Sequence, residues 1–95
     1  MTDVEINKAL ALAIGWKEFD MILDHEANRL CFTGPRLVGT FDYKDWRVIG
    51  PIAERYDFFP YKIHGQWAVM NYRSYFAEDT PQRAIALAVI EAKND

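Results

Sequence analysis

Apolar residues recur along this chain with two different periods, and the change from one to the other predicts the layout. Near the N-terminus, Ile6, Leu10, Ala13 and Ile14 share one face at helical spacing. Thr2 and Glu5 stand three residues apart just ahead of them. That is the spacing of a capping box, in which the hydroxyl accepts from the third amide and the carboxylate reaches back. Asp3 and Glu5 also suit the positive end of the helix dipole. Gly15 is the natural left-handed stop, after which Trp16 can fold back on the helix. Over residues 19–33 the period changes. Phe19, Met21 and Leu23 alternate with Asp20, Ile22 and Asp24, and Leu30 and Phe32 share one face of a second short run. This reads as a hairpin turning near Glu26, Ala27 and Asn28, although a single helical turn also fits. Residues 33–40 carry Gly34, Pro35 and Gly39 and read as a loop.

A second helix is predicted with Asp42 or Asp45 as N-cap and Trp46, Ile49, Ile52, Ala53 and Tyr56 as its apolar positions. Gly50 and Pro51 interrupt it. Proline lacks a backbone donor and crowds the preceding turn, so the helix either kinks there or restarts with Pro51 in a new first turn. Glu54 and Arg55 face water in both cases. Residues 58–73 alternate again: Phe59, Tyr61 and Ile63, a turn at His64, Gly65 and Gln66, then Trp67, Val69 and Asn71 opposed to Ala68, Met70 and Tyr72. Aromatic and β-branched side chains suit strands. A last helix opens with Thr80 as N-cap and Pro81 at the first position, where its missing N–H costs nothing. Ala84, Ile85, Ala88, Val89 and Ala92 form its stripe, which Leu87 and Ile90 broaden enough to imply deep burial. The order helix, two strands, helix, two strands, helix describes an α+β domain over residues 1–95: a small antiparallel sheet layered with three helices, sandwich-like.

Composition agrees with a folded chain. Of 95 residues, 51% are hydrophobic and 26% charged, whereas disordered chains lack that apolar content. The net charge of −3 disfavours direct nucleic-acid binding, which needs a basic footprint. Cys31 stands alone, so no internal disulfide can form, which fits a reducing cytoplasm. Asp3 and Glu5 precede an uncharged run too short for a signal peptide, and no stretch approaches the length of a membrane span. The reading is cytoplasmic, without membrane association.

Three groups of residues could carry chemistry. Asp24, His25 and Glu26, with Asp20 nearby, have metal-ligand chemistry but poor spacing, since adjacent strand residues point to opposite faces. A solvated turn accounts for them better, and no metal or cofactor is expected. Cys31 lacks a neighbouring base to activate it; between Leu30 and Phe32 it reads as a small core or edge residue. The third group is aromatic: 3 Trp, 5 Tyr and 6 Phe exceed what so small a core can absorb. The surplus points to a binding surface, because Tyr and Trp are enriched at binding hot spots. The candidate contacts are Tyr43, Trp46, Arg47, Tyr61 and Trp67. Arg47, Arg55, Lys62 and Arg73 lie near these aromatics in sequence, where they serve either as ordinary surface cations or as partners for a stacked nucleotide.

Three stretches resemble a known family. EINKALALAIGW (residues 5–16) resembles the opening helix of small phage-encoded proteins of the phage ABA sandwich type, and the start of the NinX-like proteins of lambdoid phages. DWRVIGPIAERYDF (residues 45–58) resembles the Asp-Trp helix of related phage and prophage proteins, often interrupted by proline. DTPQRAIALAVIEA (residues 79–92) resembles their closing helix. Gly15, Trp16, Trp46, Thr80, Pro81 and Ala84 match the pattern. Residues 30–38, LCFTGPRLV, have no counterpart in it. The resemblance implies a layered α–β–α fold and a phage or prophage origin. It implies no catalytic residues, because the family has no agreed biochemical function.

These readings lead to one functional expectation and two rivals. The expectation is a non-enzymatic phage accessory protein that binds a host protein or complex and counters a bacterial defence system. The first rival is a homo-oligomer that sequesters a small ligand such as a nucleotide signal, in a pocket between subunits. The second is a hydrolase using Asp24, His25 and Glu26. A homodimer is compatible with all three, because small chains often complete their burial across a two-fold axis.

Overall fold

The computed structural model describes the chain apart from residues 19–20, 25–28, 33–38, 72–73 and 94–95, and apart from the side chains of Leu23, Asp24, Arg29 and Phe32. Its elements run α1 (Asp3–Ala13), β1 (Met21–Asp24), β2 (Arg29–Phe32), β3 (Gly39–Phe41), α2 (Trp46–Tyr56), β4 (Tyr61–Ile63), β5 (Gln66–Met70), β6 (Tyr75–Glu78) and α3 (Pro81–Lys93). The fold is α+β, as the periodicity predicts. Each expected hairpin carries a third strand, so the described residues form two three-stranded antiparallel sheets, β1-β2-β3 and β4-β5-β6. The chain divides into two compact units, Met1–Asp42 and Tyr43–Asp95, and both begin with a helix followed by three strands.

In the first unit the capping box forms as predicted. The Thr2 hydroxyl accepts from the Glu5 amide at 3.2 Å, and the Glu5 carboxylate accepts from the Thr2 amide at 2.9 Å. That reciprocal bond holds the Glu5 carboxyl below its ordinary value. At the other end Gly15 adopts φ +111, and the amides of Gly15 and Trp16 return to the carbonyls of Leu12 and Ala11 at 3.1 and 3.0 Å. This closes the helix as a Schellman motif. Ile6, Leu10 and Ala11 are fully buried, and α1 packs against β2. Leu30 pairs with Leu23 on one side and Phe41 on the other, and both Leu30 and Phe41 are buried. Gly39 and Thr40, placed in a loop by the sequence reading, belong to β3. Three residues flanked by glycine and proline signals carry too little alternation to register as a strand. The turn expected at Glu26, Ala27 and Asn28 lies outside the described residues.

In the second unit Asp45, of the two predicted candidates, is the N-cap of α2 and accepts from the Arg47 amide at 2.9 Å. The helix runs through Pro51 as one element. Proline removes only the bond to the Arg47 carbonyl, and it lies on the exposed side, where water can satisfy that carbonyl. Ile49, Ile52 and Ala53 are buried, while Glu54 and Arg55 are exposed as expected. The β4–β5 turn is the pair His64-Gly65, with φ of 50 and 79. Two successive positive φ angles match the twist of the flanking strands, so Gln66 is already in β5, paired with Ile63. Thr80 caps α3 through a 3.3 Å bond from the Arg83 amide. Ala84, Ile85, Ala86, Ala88, Val89 and Ile90 are all buried, and α3 packs on α2, β5 and β6. The alanines let these neighbours approach closely around the larger Ile85 and Val89.

Candidate functional site

Pairing in the second sheet sorts its side chains by face. Ala68 pairs with Tyr61 and Ala77, Met70 with Tyr75, and Gln66 with Ile63. Directly opposed residues point to the same side, so Tyr61, Ile63, Gln66, Ala68, Met70, Tyr75 and Ala77 share one face, and none is charged. On it, Met70 is 62%, Tyr75 53% and Tyr61 41% exposed. The other face holds Lys62, Trp67, Val69, Phe76 and Glu78. There Val69 is fully buried, and the Lys62 ammonium lies 5.6 Å from the centre of the Trp67 ring.

The five candidate contacts do not form one cluster. Tyr61 and Trp67 occupy opposite faces of the sheet. Trp46, 50% exposed, and Arg47 lie together at the start of α2. Arg47 turns back to its own N-cap, with Nε 3.2 Å from both Asp45 carboxylate oxygens and a terminal nitrogen 2.9 Å from Oδ2. The pair is exposed, and each partner favours the charged form of the other: the Asp45 carboxyl is lowered by the Arg47 side chain first and its amide second, and the guanidinium is raised.

Tyr43 is only 2% exposed and belongs to the core. Its oxygen accepts from Arg83, and this bond, ahead of the contribution from Glu78, raises the Arg83 guanidinium above its ordinary value. Arg83 Nε also donates to Glu78 Oε1 at 3.3 Å. Tyr43 therefore offers no contact surface; it joins the entry to α2 to the start of α3. Met70 and Tyr75, absent from the candidate set, are the most exposed large hydrophobic side chains of the sheet. Their opposition follows from β6, whose Tyr-Phe-Ala-Glu run was the available signal.

The remaining cations near aromatics also have local partners. Arg55 and Lys93 lie 5.4 and 5.3 Å from the centre of the Tyr56 ring. Both occupy the last turns of their helices, where a positive charge suits the dipole. The Tyr56 ring also stacks on Phe58 at 6.1 Å. Arg73 lies outside the described residues, as do Asp20, His25 and Glu26, while Asp24 ends β1. Cys31 is half-buried in the central strand β2, between Ile22 and Thr40. Among the described residues no three His, Cys, Asp or Glu side chains are grouped to hold a metal ion, and no helix is long and apolar enough to cross a membrane.

No known protein family matches the chain, and neither a curated protein nor a solved structure resembles it significantly.

Proposed function

We propose that this chain is a non-enzymatic binding protein of phage or prophage type, which docks on a host protein or complex and counters a bacterial defence system. One observation carries the binding reading: Tyr61, Met70 and Tyr75 form an exposed, uncharged patch on one sheet face. Methionine and aromatic side chains of this kind give large contact area and are enriched at interface cores. The patch stands on a sheet whose opposite side carries the buried Val69 and which packs on α3, so it is presented by a firm support. The phage part of the proposal rests on the resemblance of the three helical stretches, and the defence part on what small phage accessory proteins commonly do.

The test uses infection of a defence-bearing bacterial host that expresses the protein. Wild type restores phage plating, and Met70→Glu combined with Tyr75→Ser abolishes the restoration while circular dichroism stays unchanged. Full activity in that double variant would remove the patch from the mechanism. Absence of any effect by wild type across a panel of defence systems would remove the defence role.

A further inference from the structure

The second sheet has two outer edges, and they differ in what they would do on meeting a copy of themselves. The β4 edge is guarded. Pro60 precedes it, it is three residues long, and its central residue Lys62 would be set against Lys62 of the other copy in antiparallel self-pairing. Proline, shortness and lysine are the usual devices that keep edges apart. The β6 edge, four residues long, carries neither proline nor lysine. Its residues are Tyr75, Phe76, Ala77 and Glu78, and the only charge, Glu78, is held by Arg83 at 3.3 Å. Among the described residues, β6 pairs with β5 alone, so its outer backbone groups have no strand beside them. In the first sheet, β3 is three residues long, and β1 is bracketed in sequence by Asp20 and Asp24, which antiparallel self-pairing would set opposite each other.

We infer that β6 is the edge by which two copies of this chain associate, antiparallel about a two-fold axis. A register centred on Phe76 sets Tyr75 opposite Ala77 of the second copy and Ser74 opposite Glu78. No like charges meet, and the large Tyr75 falls against the small Ala77. The interface is isologous and closes after two copies. It joins two three-stranded sheets into one of six strands and brings two Met70–Tyr75 patches side by side, which doubles the exposed surface. Four residues of strand bury far less than a standard interface, so the dimer forms and dissociates with concentration. This inference is independent of the proposed host partner, because it concerns the purified chain alone.

Sedimentation velocity over a wide concentration range, paired with hydrogen exchange at its two ends, tests it. The expected result is a species of twice the chain mass at high concentration. Exchange of the amides in residues 75–78 then slows at least tenfold, and residues 61–63 are unchanged. Tyr75→Glu, at a position 53% exposed and so outside the core, weakens association at least tenfold without altering the far-ultraviolet spectrum. A monomer at every concentration overturns the inference. So does a dimer whose protection falls on β4 or on the first sheet while β6 is unaffected. A monomer whose β6 becomes protected only on adding another protein would assign the edge to that protein and likewise overturn it.

Discussion

Asn71, at the end of β5, donates from one side-chain nitrogen to the Glu91 carboxylate and, at 3.1 Å, to the Ala88 carbonyl of α3. Its own oxygen accepts from the Ser74 amide at 2.7 Å, and the Ser74 hydroxyl lies 3.5 Å from the other Glu91 oxygen. One amide thus ties the start of β6 to the last turns of α3. Among the described residues, removing it leaves the half-buried Glu91 carboxylate with only the long bond from the Ser74 hydroxyl. Asn71→Ala is expected to cost about 1–3 kcal/mol in urea unfolding. Asn71→Asp, which sets two carboxylates together, should cost more at neutral pH and recover part of that loss in acid. Equal stability of wild type and Asn71→Ala would mean that the bonds contribute nothing net.

Tyr43→Phe keeps the ring in the core and deletes the oxygen that Arg83 donates to. The expected loss is about 1.5–3 kcal/mol by thermal or denaturant unfolding, the range for a hydrogen bond involving a charged group. Tyr43→Phe should leave any partner binding intact once the protein is folded, because the side chain is not at the surface. Loss of binding by a stably folded variant would return Tyr43 to the contact set.

Asp57 closes α2 at φ 59 and ψ 37, in the left-handed region, and its amide and that of Phe58 return to Glu54 and Ala53 at 3.3 and 3.0 Å. This is the position that glycine fills at the end of α1. Asp57→Gly relieves the steric penalty of a Cβ there but loosens the unfolded chain. The balance favours the variant by about 0.5–1 kcal/mol, read as a rise in the unfolding midpoint. A fall would show that the exposed Asp57 side chain has a stabilising role of its own.

Glu5 and Asp45 are both held below their ordinary values, Glu5 by the Thr2 cap and Asp45 by Arg47. For a carboxyl depressed in the folded state, the unfolded chain takes up protons first as pH falls. The contribution to stability is therefore complete above the ordinary carboxylate range, about pH 4, and is lost as pH drops through the lower folded values. Helix content followed by circular dichroism should fall over that acid window. Glu5→Gln with Asp45→Asn should start lower at neutral pH and flatten the acid decline. An unchanged decline in the double variant would place the acid sensitivity elsewhere.

The helices were legible in the chain because their determinants are local. Thr2 with Glu5, Gly15 before Trp16, Asp45 before the Trp46 stripe, and Thr80 with Pro81 each act within one turn, and spacing alone reveals them. The second hairpin was legible too, because Tyr61, Ile63, Trp67 and Val69 alternate on both sides of Gly65. Whether Pro51 broke its helix was not legible, since that depends on whether the carbonyl it strips of a donor lies on a wet or a dry side. The strands β3 and β6 were missed for a related reason: short strands are defined by what they pair with. The aromatic surplus was also visible, but not its division between core and surface. Tyr43 and Tyr61 are the same residue type beside similar neighbours. One is buried against Arg83 and the other is 41% exposed on a sheet face, because Arg83 lies forty residues along the chain from Tyr43, and only folding brings them together. Local spacing determined the helices, their caps and the α+β class. Tertiary structure decided which strands pair and which aromatics remain exposed, since each depends on contacts between residues far apart in sequence.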